Sequence, residues 1–203
     1  MKNIPQIVYL VDDDERVLRA LKRLLTSEGY SVACYSSGEE FLRNHDRDVP
    51  GCAIVDLSLP GIDGFGVQDT LSSALTDRQV IFLTGRGDIP ASVKAMKAGA
   101  IDFLAKPADA SLLLAAVAQA LERDSQARRD RERRMSVEQR LASLTPRERE
   151  VLTRVVAGRL NKQIAGELGI VEKTIKVHRG RMMGKMGVRT VADLVRLVAR
   201  HQA

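Results

Sequence analysis

Aromatic side chains are scarce in this chain, at 3% of 203 residues. Aliphatic residues, within an apolar content of 44%, must therefore fill its cores. Cysteine is almost absent as well. Cys34 and Cys52 both lie in strand-like apolar stretches, so they read as small buried residues in a reducing compartment and not as a disulfide. No apolar run reaches the roughly 18 residues that would suggest a membrane-spanning helix. Met1-Lys2-Asn3 leads into no signal-like segment. A soluble, cytoplasmic protein without a membrane partner is expected. Glycine and proline are missing altogether from residues 122–140, where 12 of the 19 residues are charged.

Charge of both signs is present but unevenly placed. Within the net charge of +6, residues 1–121 hold 12 Lys/Arg against 16 Asp/Glu, and residues 141–203 hold 13 against 5. An acidic front and a basic back imply two domains, the second attracted to a polyanion. The expected division is a first domain over 1–121, a charged linker over 122–140 and a second domain over 141–203. The linker is expected to be helical, to extend the helix before it and to face solvent. Its pairs Asp124–Arg128 and Asp130–Arg134 have the supportive i,i+4 order. Five acids dilute its reading as a basic arm for nucleic acid.

The first domain alternates strand and helix patterns. Strands are expected near 6–11, 31–35, 51–56, 79–83 and 100–104, and helices near 15–28, 38–47, 65–74, 90–98 and 109–121. Gly29 and Gly99 suit helix ends, Ser37 with Glu40 a capping box and Asp109 an N-cap. The pattern predicts an α/β fold, a doubly wound five-stranded parallel sheet.

Four of the apolar runs end in chemistry. The first is followed by Asp12-Asp13-Asp14, the third ends in Asp56, the fourth in Thr84, and the fifth near Lys106-Pro107. In an open parallel sheet these lie at one edge, where ligands bind. Three carboxylates there stay ionised together only beside a cation, and hard oxygen ligands suit Mg²⁺. A carboxylate in such a site can attack phosphorus and form an aspartyl phosphate. Mg²⁺ would offset charge on the phosphoryl oxygens, Lys106 would pair with one of them, and Thr84 would donate a hydrogen bond to another. Taken singly, Asp56 is a strand-end residue, Asp12–Asp14 a helix cap and Lys106 a surface lysine. Their order along successive strand ends argues for the site.

Residues 4–121 resemble the response-regulator receiver domain. The resemblance rests on Val11-Asp12-Asp13-Asp14, on Asp56 followed by Leu59-Pro60-Gly61-Ile62-Asp63-Gly64, on Thr84-Gly85 and on Lys106-Pro107. It implies a flavodoxin-like fold in which Asp56 accepts phosphate from a sensor histidine kinase. It also implies that Mg²⁺ is held by Asp12, Asp13, Asp56 and the backbone carbonyl of Ser58, and that the Lys106–Pro107 bond is cis. A switch follows from the same resemblance: the phosphoryl group draws Thr84 inward, and the ring of Phe103 turns into the vacated space. A plain core role is the alternative for Phe103. Phosphorylation is expected to favour dimerisation around Val93, Lys97 and Asp102.

The last 63 residues read as four short helices. Thr145-Pro146-Arg147-Glu148 opens the first with a capping box and Pro at N1, and Gly158 ends it. Asn161 is expected to cap Lys162–Leu168, closed by Gly169. A third runs from about Glu172 to Lys185, and Thr190 with Asp193 opens Val191–His201. The middle pair has helix–turn–helix spacing. Ile164, Ala165, Leu168, Ile170, Ile175, Met182 and Met186 fit the inner face. Lys173, Thr174, Lys176, Val177, Arg179 and Arg181 face outward, towards the phosphates and base edges of double-stranded DNA. RNA is disfavoured because no aromatic stacking platform exists.

Leu144 to Leu197 resembles the LuxR/NarL-type helix–turn–helix domain, and the whole chain the FixJ-type transcriptional regulators. By position this implies Lys176 and Val177 in the major groove, Thr174, His178 and Arg179 mostly at the DNA backbone, and Lys162 on the scaffold helix beside it. Promoter DNA, RNA polymerase and a second copy of the chain are the implied partners. Two residues depart from the pattern. Val171 stands at the usual Ser cap of the recognition helix, and Gly180 on the groove face can read no base. Val191, Leu194, Val195 and Val198 form a stripe suited either to packing on their own domain or to a second dimer contact. Two rival functions meet obstacles or alternatives in the residues themselves. A phosphatase of the haloacid-dehalogenase kind needs a second acid two residues after its aspartate, where this chain has Ser58. A phosphate-independent DNA-binding protein would use its first domain only as a dimer scaffold. The expected protein is a regulator and not an enzyme.

Overall fold

Runs of Val, Ile and Leu favour strands because branched side chains pack well on a pleated surface. The computed structural model describes residues 6–73, 78–85 and 89–202. Its strands are β1 (Ile7–Val11), β2 (Ser31–Tyr35), β3 (Gly51–Asp56), β4 (Gln79–Thr84) and β5 (Asp102–Ala105). They form one parallel sheet in the order β2-β1-β3-β4-β5. Helices α1 (Glu15–Ser27), α2 (Gly38–Asn44), α3 (Gly64–Ser73) and α4 (Ile89–Lys97) make the crossovers, and α5 (Ala110–Ala142) follows β5. The fold is the doubly wound one expected. β5 starts two residues later than its apolar run, at Asp102; Ala100 N is still bonded back to the Ala95 carbonyl of α4 at 3.1 Å. Residue 74, assigned to the third helix by its pattern, lies outside the described residues.

Alternate strand residues serve opposite faces of the sheet. Val8, Leu10, Cys52, Ile54, Ile81 and Leu83 pack with Leu18 and Leu25 of α1 and with Leu113 and Val117 of α5. Tyr9, Val11, Ala53, Val55, Val80 and Phe82 pack with Phe41 of α2, Val67 and Leu71 of α3 and Ala95 of α4. The central β3 is buried at all its residues, as a strand covered on both faces must be. Both cysteines are free, and burial pushes the Cys52 thiol up to about 12.

Two local expectations need correction. Ser37 caps α2, accepting from Glu40 N at 3.2 Å, but Glu40 Oε2 reaches past it to Ser36 N at 2.9 Å. The intended box is therefore one residue wider than its motif. In the long α5, Asp109 accepts from Ser111 N and Leu112 N, and the helix continues without a break to Ala142. The stretch read as solvent-facing is not so at Asp124, which is 0% exposed. Its Oδ2 accepts from Gly51 N at 3.0 Å and from Arg128 Nε at 2.9 Å. Arg128 also donates to the carbonyls of Arg47, Asp48 and Val49. A buried carboxylate persists only when paired and hydrogen-bonded in this way. The chain divides into two compact units between Arg128 and Arg129.

The second unit holds α6 (Pro146–Val156), α7 (Asn161–Leu168), α8 (Glu172–Met186) and α9 (Val191–Gln202). Thr145 and Glu148 form the expected reciprocal box at α6. Asn161 is not the cap of α7. Leu160 occupies that position, and Gln163 Oε1 accepts from its N–H at 2.8 Å. Gly169, in the left-handed region at φ 65°, ends α7 and turns the chain into α8. The α8 start at Val171 has no side-chain cap bond. Val151, Ile164, Ile175, Met182, Met186 and Leu194 build the core, with Val198 beside them. The α9 stripe thus packs on its own unit, and only Val195 is left 37% exposed.

Candidate functional site

The chain leaves β1 for β2 on one side and returns to pair β3 on the other. At that reversal the connections part, and a crevice opens beyond the carboxyl ends of β1 and β3. Asp12 follows β1 and Asp56 ends β3, at 2% and 6% exposure; Asp13 is exposed. One carboxylate oxygen from each of the three lies within 4.8 Å of the others. Two carboxylates at that separation repel by roughly 3 to 4 kcal/mol at an effective dielectric of about 20. Lys106 relieves part of this. Its Nζ lies 2.6 Å from Asp12 Oδ2 and 2.9 Å from Asp56 Oδ2. Burial raises the pKa of Asp12, against the hydrogen bonds from Lys106 and Asp14 N that lower it. Burial would lower Lys106, but its bonds to Asp12 and Asp56 outweigh that and hold it above the usual value.

Backbone geometry fixes the remaining members. Asp14 N donates to Asp12 Oδ1 at 3.0 Å, and Ser58 N to Asp56 Oδ1 at 3.2 Å. Thr84 ends β4 at 2% exposure, and its carbonyl accepts from Lys106 N at 2.7 Å. The Lys106–Pro107 bond is cis. Phe103 is half-buried in the core on the α2–α4 face, its ring centroid 6.4 Å from that of Phe82. Gly64 lets α3 approach β3, since a Cβ there would lie 2.7 Å from the Asp56 carbonyl oxygen. A single ammonium leaves two of the three carboxylate charges uncompensated. The donors are hard oxygens, so the residues present fit Mg²⁺. Glu39 was not singled out by any sequence motif for this region, yet its Oε1 accepts from Ile62 N, in the loop after Asp56, at 2.8 Å.

In the second unit the expected DNA-facing residues separate by exposure. Lys162, Lys173, Lys176, Val177 and Arg181 are exposed, whereas Thr174, His178 and Arg179 are half-buried. Arg179 Nη1 donates to Asn161 Oδ1 at 2.8 Å, joining α8 to the start of α7. No spacing rule announces that long-range bond. Lys176 pairs loosely with Glu172 at 3.3 Å. On the first unit, Val93 and Lys97 of α4 are exposed and Asp102 of β5 is half-buried.

Comparison with known proteins decides the family. Residues 8–118 match the response regulator receiver domain, and residues 142–198 match the bacterial regulatory proteins of the luxR family. The chain belongs to the response regulators. This regulator is 43% identical over 200 residues to the response regulator protein TodT of Pseudomonas putida, covering 98% of this chain and 88% of that one. It is 40% identical over 193 residues to the transcriptional regulatory protein FixJ of Azorhizobium caulinodans, covering 94% and 90%. Among solved structures, the response regulator StyR superposes at a TM-score of 0.90 with 42% identity, over 97% of the regulator and 99% of StyR. Full-length FixJ from B. japonicum gives 0.58 with 34% identity, over 97% of each chain. The regulator therefore joins a receiver to a LuxR-type DNA-binding domain, in a family of transcriptional regulators and not of classical enzymes. A histidine kinase and DNA are the partners this architecture implies.

Proposed function

We propose that Asp56 is the phosphoacceptor. A carboxylate oxygen of Asp56 attacks the phosphorus of a kinase phosphohistidine. The P–O bond forms as the P–N bond breaks, and the departing imidazole keeps the electron pair and takes up a proton. The bridging of Lys106 Nζ between Asp12 and Asp56, at 2.6 and 2.9 Å, carries this reading. The ammonium is already poised where phosphoryl charge arrives, so little reorganisation is needed. Asp12, Asp13, Asp56 and the Ser58 carbonyl would hold Mg²⁺, which when bound would supply positive charge to offset that on the phosphoryl oxygens. Thr84 donates its hydroxyl to one of those oxygens, and Phe103 turns towards the space Thr84 leaves, shifting the receiver between two packings. Hydrolysis of the aspartyl phosphate resets it. Incubation with acetyl phosphate and Mg²⁺ is expected to add one phosphoryl group to the intact mass of the wild type and none to Asp56→Asn. Equal modification of that variant assigns the acceptor elsewhere.

Phosphorylation then drives two receivers together around Val93, Lys97 and Asp102. Support comes from α4, where Ile89, Val93 and Met96 are 76%, 47% and 48% exposed, an apolar strip that a second copy would cover. The paired output domains bind two half-sites of promoter DNA in the cytoplasm, with RNA polymerase as the further partner. Lys176 and Val177 meet base edges, while Lys162, Lys173, Thr174, His178, Arg179 and Arg181 serve the phosphates or the frame. Light scattering with beryllofluoride and Mg²⁺ is expected to show a monomer-to-dimer shift in the wild type but not in Asp56→Ala. Dimers that survive Val93→Glu with Lys97→Glu overturn the interface.

A further inference from the structure

The loop that follows Asp56 is gripped from another element. Its residues between Ser58 and Asp63 meet the first turn of α2 in two adjoining contacts. Glu39 Oε1 accepts from Ile62 N at 2.8 Å. Gly38 lies so close that a Cβ there would stand 2.7 Å from the Ile62 carbonyl oxygen and 2.8 Å from Val67 Cγ2. The loop turns at Gly61, φ +76°, where a Cβ would run into Glu39 Oε1. A side chain at 38 would push the Ile62 backbone away, and one at 61 would displace the Glu39 carboxylate from its place. Among the described residues, Glu39 supplies the hydrogen bond that reaches residues 59–62 from another element, while Asp63 is held by Gly66 N and Val67 N of α3. The bonds to its own and the Ile62 N–H hold the Glu39 carboxyl below the usual range, so it remains an ionised acceptor.

We propose that Glu39 is a positioning residue for the metal pocket: seated by Gly38 and Gly61, its carboxylate fixes the loop and so sets the Ser58 carbonyl beside Asp12, Asp13 and Asp56. This rests on the reading of those four residues as the Mg²⁺ ligands. A partner that orients a ligand without touching the metal typically governs affinity by about 10-fold or more. The loop is otherwise held towards its ends, through Leu57 N to the Leu83 carbonyl, Ser58 N to Asp56 Oδ1, Gly64 N to the Leu57 carbonyl, and Asp63 to Gly66 N and Val67 N.

The test is calorimetric titration of the full chain with Mg²⁺ alone. Glu39→Ala is expected to weaken binding about 10-fold. Glu39→Asp keeps the charge but is one methylene too short for Ile62 N, and weakens binding similarly; it also stands in should the alanine variant fail to fold. Glu39→Gln keeps an acceptor oxygen and restores binding close to wild type. Arg128→Ala, which loosens the opposite edge of the sheet, leaves Mg²⁺ affinity unchanged and so separates positioning from general destabilisation. Wild-type affinity in Glu39→Ala and Glu39→Asp, or loss in Glu39→Gln equal to that in Glu39→Ala, overturns the proposal. Absence of Mg²⁺ binding in the wild type, or undiminished binding in Asp13→Asn, brings down the pocket assignment itself.

Discussion

His45 shows how much a single residue can tie to pH. It is 7% exposed, its ring stacked on Phe41 at 4.7 Å, with Nδ1 placed 3.0 Å from the Phe41 carbonyl oxygen. Its Nε2 has no hydrogen-bond partner among the described residues. Burial lowers its pKa below the usual 6.5, and the charges of Arg78 and Arg47 lower it further. The unfolded chain therefore binds more protons than the native one below pH 6.5. Stability is fully present above that pH and declines as pH falls towards the folded value. The thermal midpoint of the receiver is expected to drop as pH falls below 6.5, and His45→Phe to flatten that part of the profile. An equal slope in both proteins removes His45 as the cause. Lys106 and Asp56 belong to the same scale, and their types and order were legible in the chain. The burial that makes Asp12 and Lys106 a tight pair was not, because it depends on which strands are neighbours.

At the scale of elements, the sharpest stability handles are the ends and edges of helices. Arg128→Ala removes the cation hydrogen-bonded to the buried Asp124, and breaking such a pair costs about 3 kcal/mol. Urea unfolding of the full chain, monitored on the receiver transition, is expected to show that loss; a change under about 1 kcal/mol means the pair is dispensable. Sequence pattern placed these two residues at i,i+4 on a helix, which they are. It could not show that the far side of that pair meets Gly51 N and the carbonyls of residues 47–49, which are more than 70 residues away. At α8, the cap position holds Val171, which is 67% exposed and makes no side-chain cap bond. Val171→Ser is expected to raise the stability of the second unit by about 1 kcal/mol, read as a higher thermal midpoint. An unchanged or lower midpoint refutes the capping argument. Asn161 goes the other way: its position suits a local cap, but its side chain is committed to Arg179 at 2.8 Å. Asn serves either purpose, and local spacing does not distinguish them.

Over the whole molecule, charge is the quantity with consequences. The acidic receiver and the basic output unit give the net +6 its polarity. DNA affinity should fall linearly in log–log terms with salt, and Lys173→Ala should reduce the slope by about 1, as one phosphate contact is lost. Arg179→Ala should differ, costing stability through Asn161 as well as affinity. Identical salt slopes for wild type and Lys173→Ala, measured by fluorescence anisotropy on promoter DNA, exclude a phosphate contact at that residue. The two core faces of the receiver follow from one strand alternation, and the helix–turn–helix core from one set of apolar spacings, so fold class was readable at this scale.

The sequence by itself determined what is local or periodic: the strands and helices, the charge division, the left-handed glycines, the Thr145–Glu148 box, and the series of acids, hydroxyl and lysine at strand ends. These depend on neighbours a few residues apart, whose geometry the backbone dictates. Only the tertiary structure decided which distant groups meet. It put Lys106 between Asp12 and Asp56, buried Asp124 against Gly51, gave Asn161 to Arg179, turned the α9 stripe inward and set Glu39 on Ile62. Each of these contacts depends on strand order and helix packing, which close long loops, and no local preference encodes the partner at the other end.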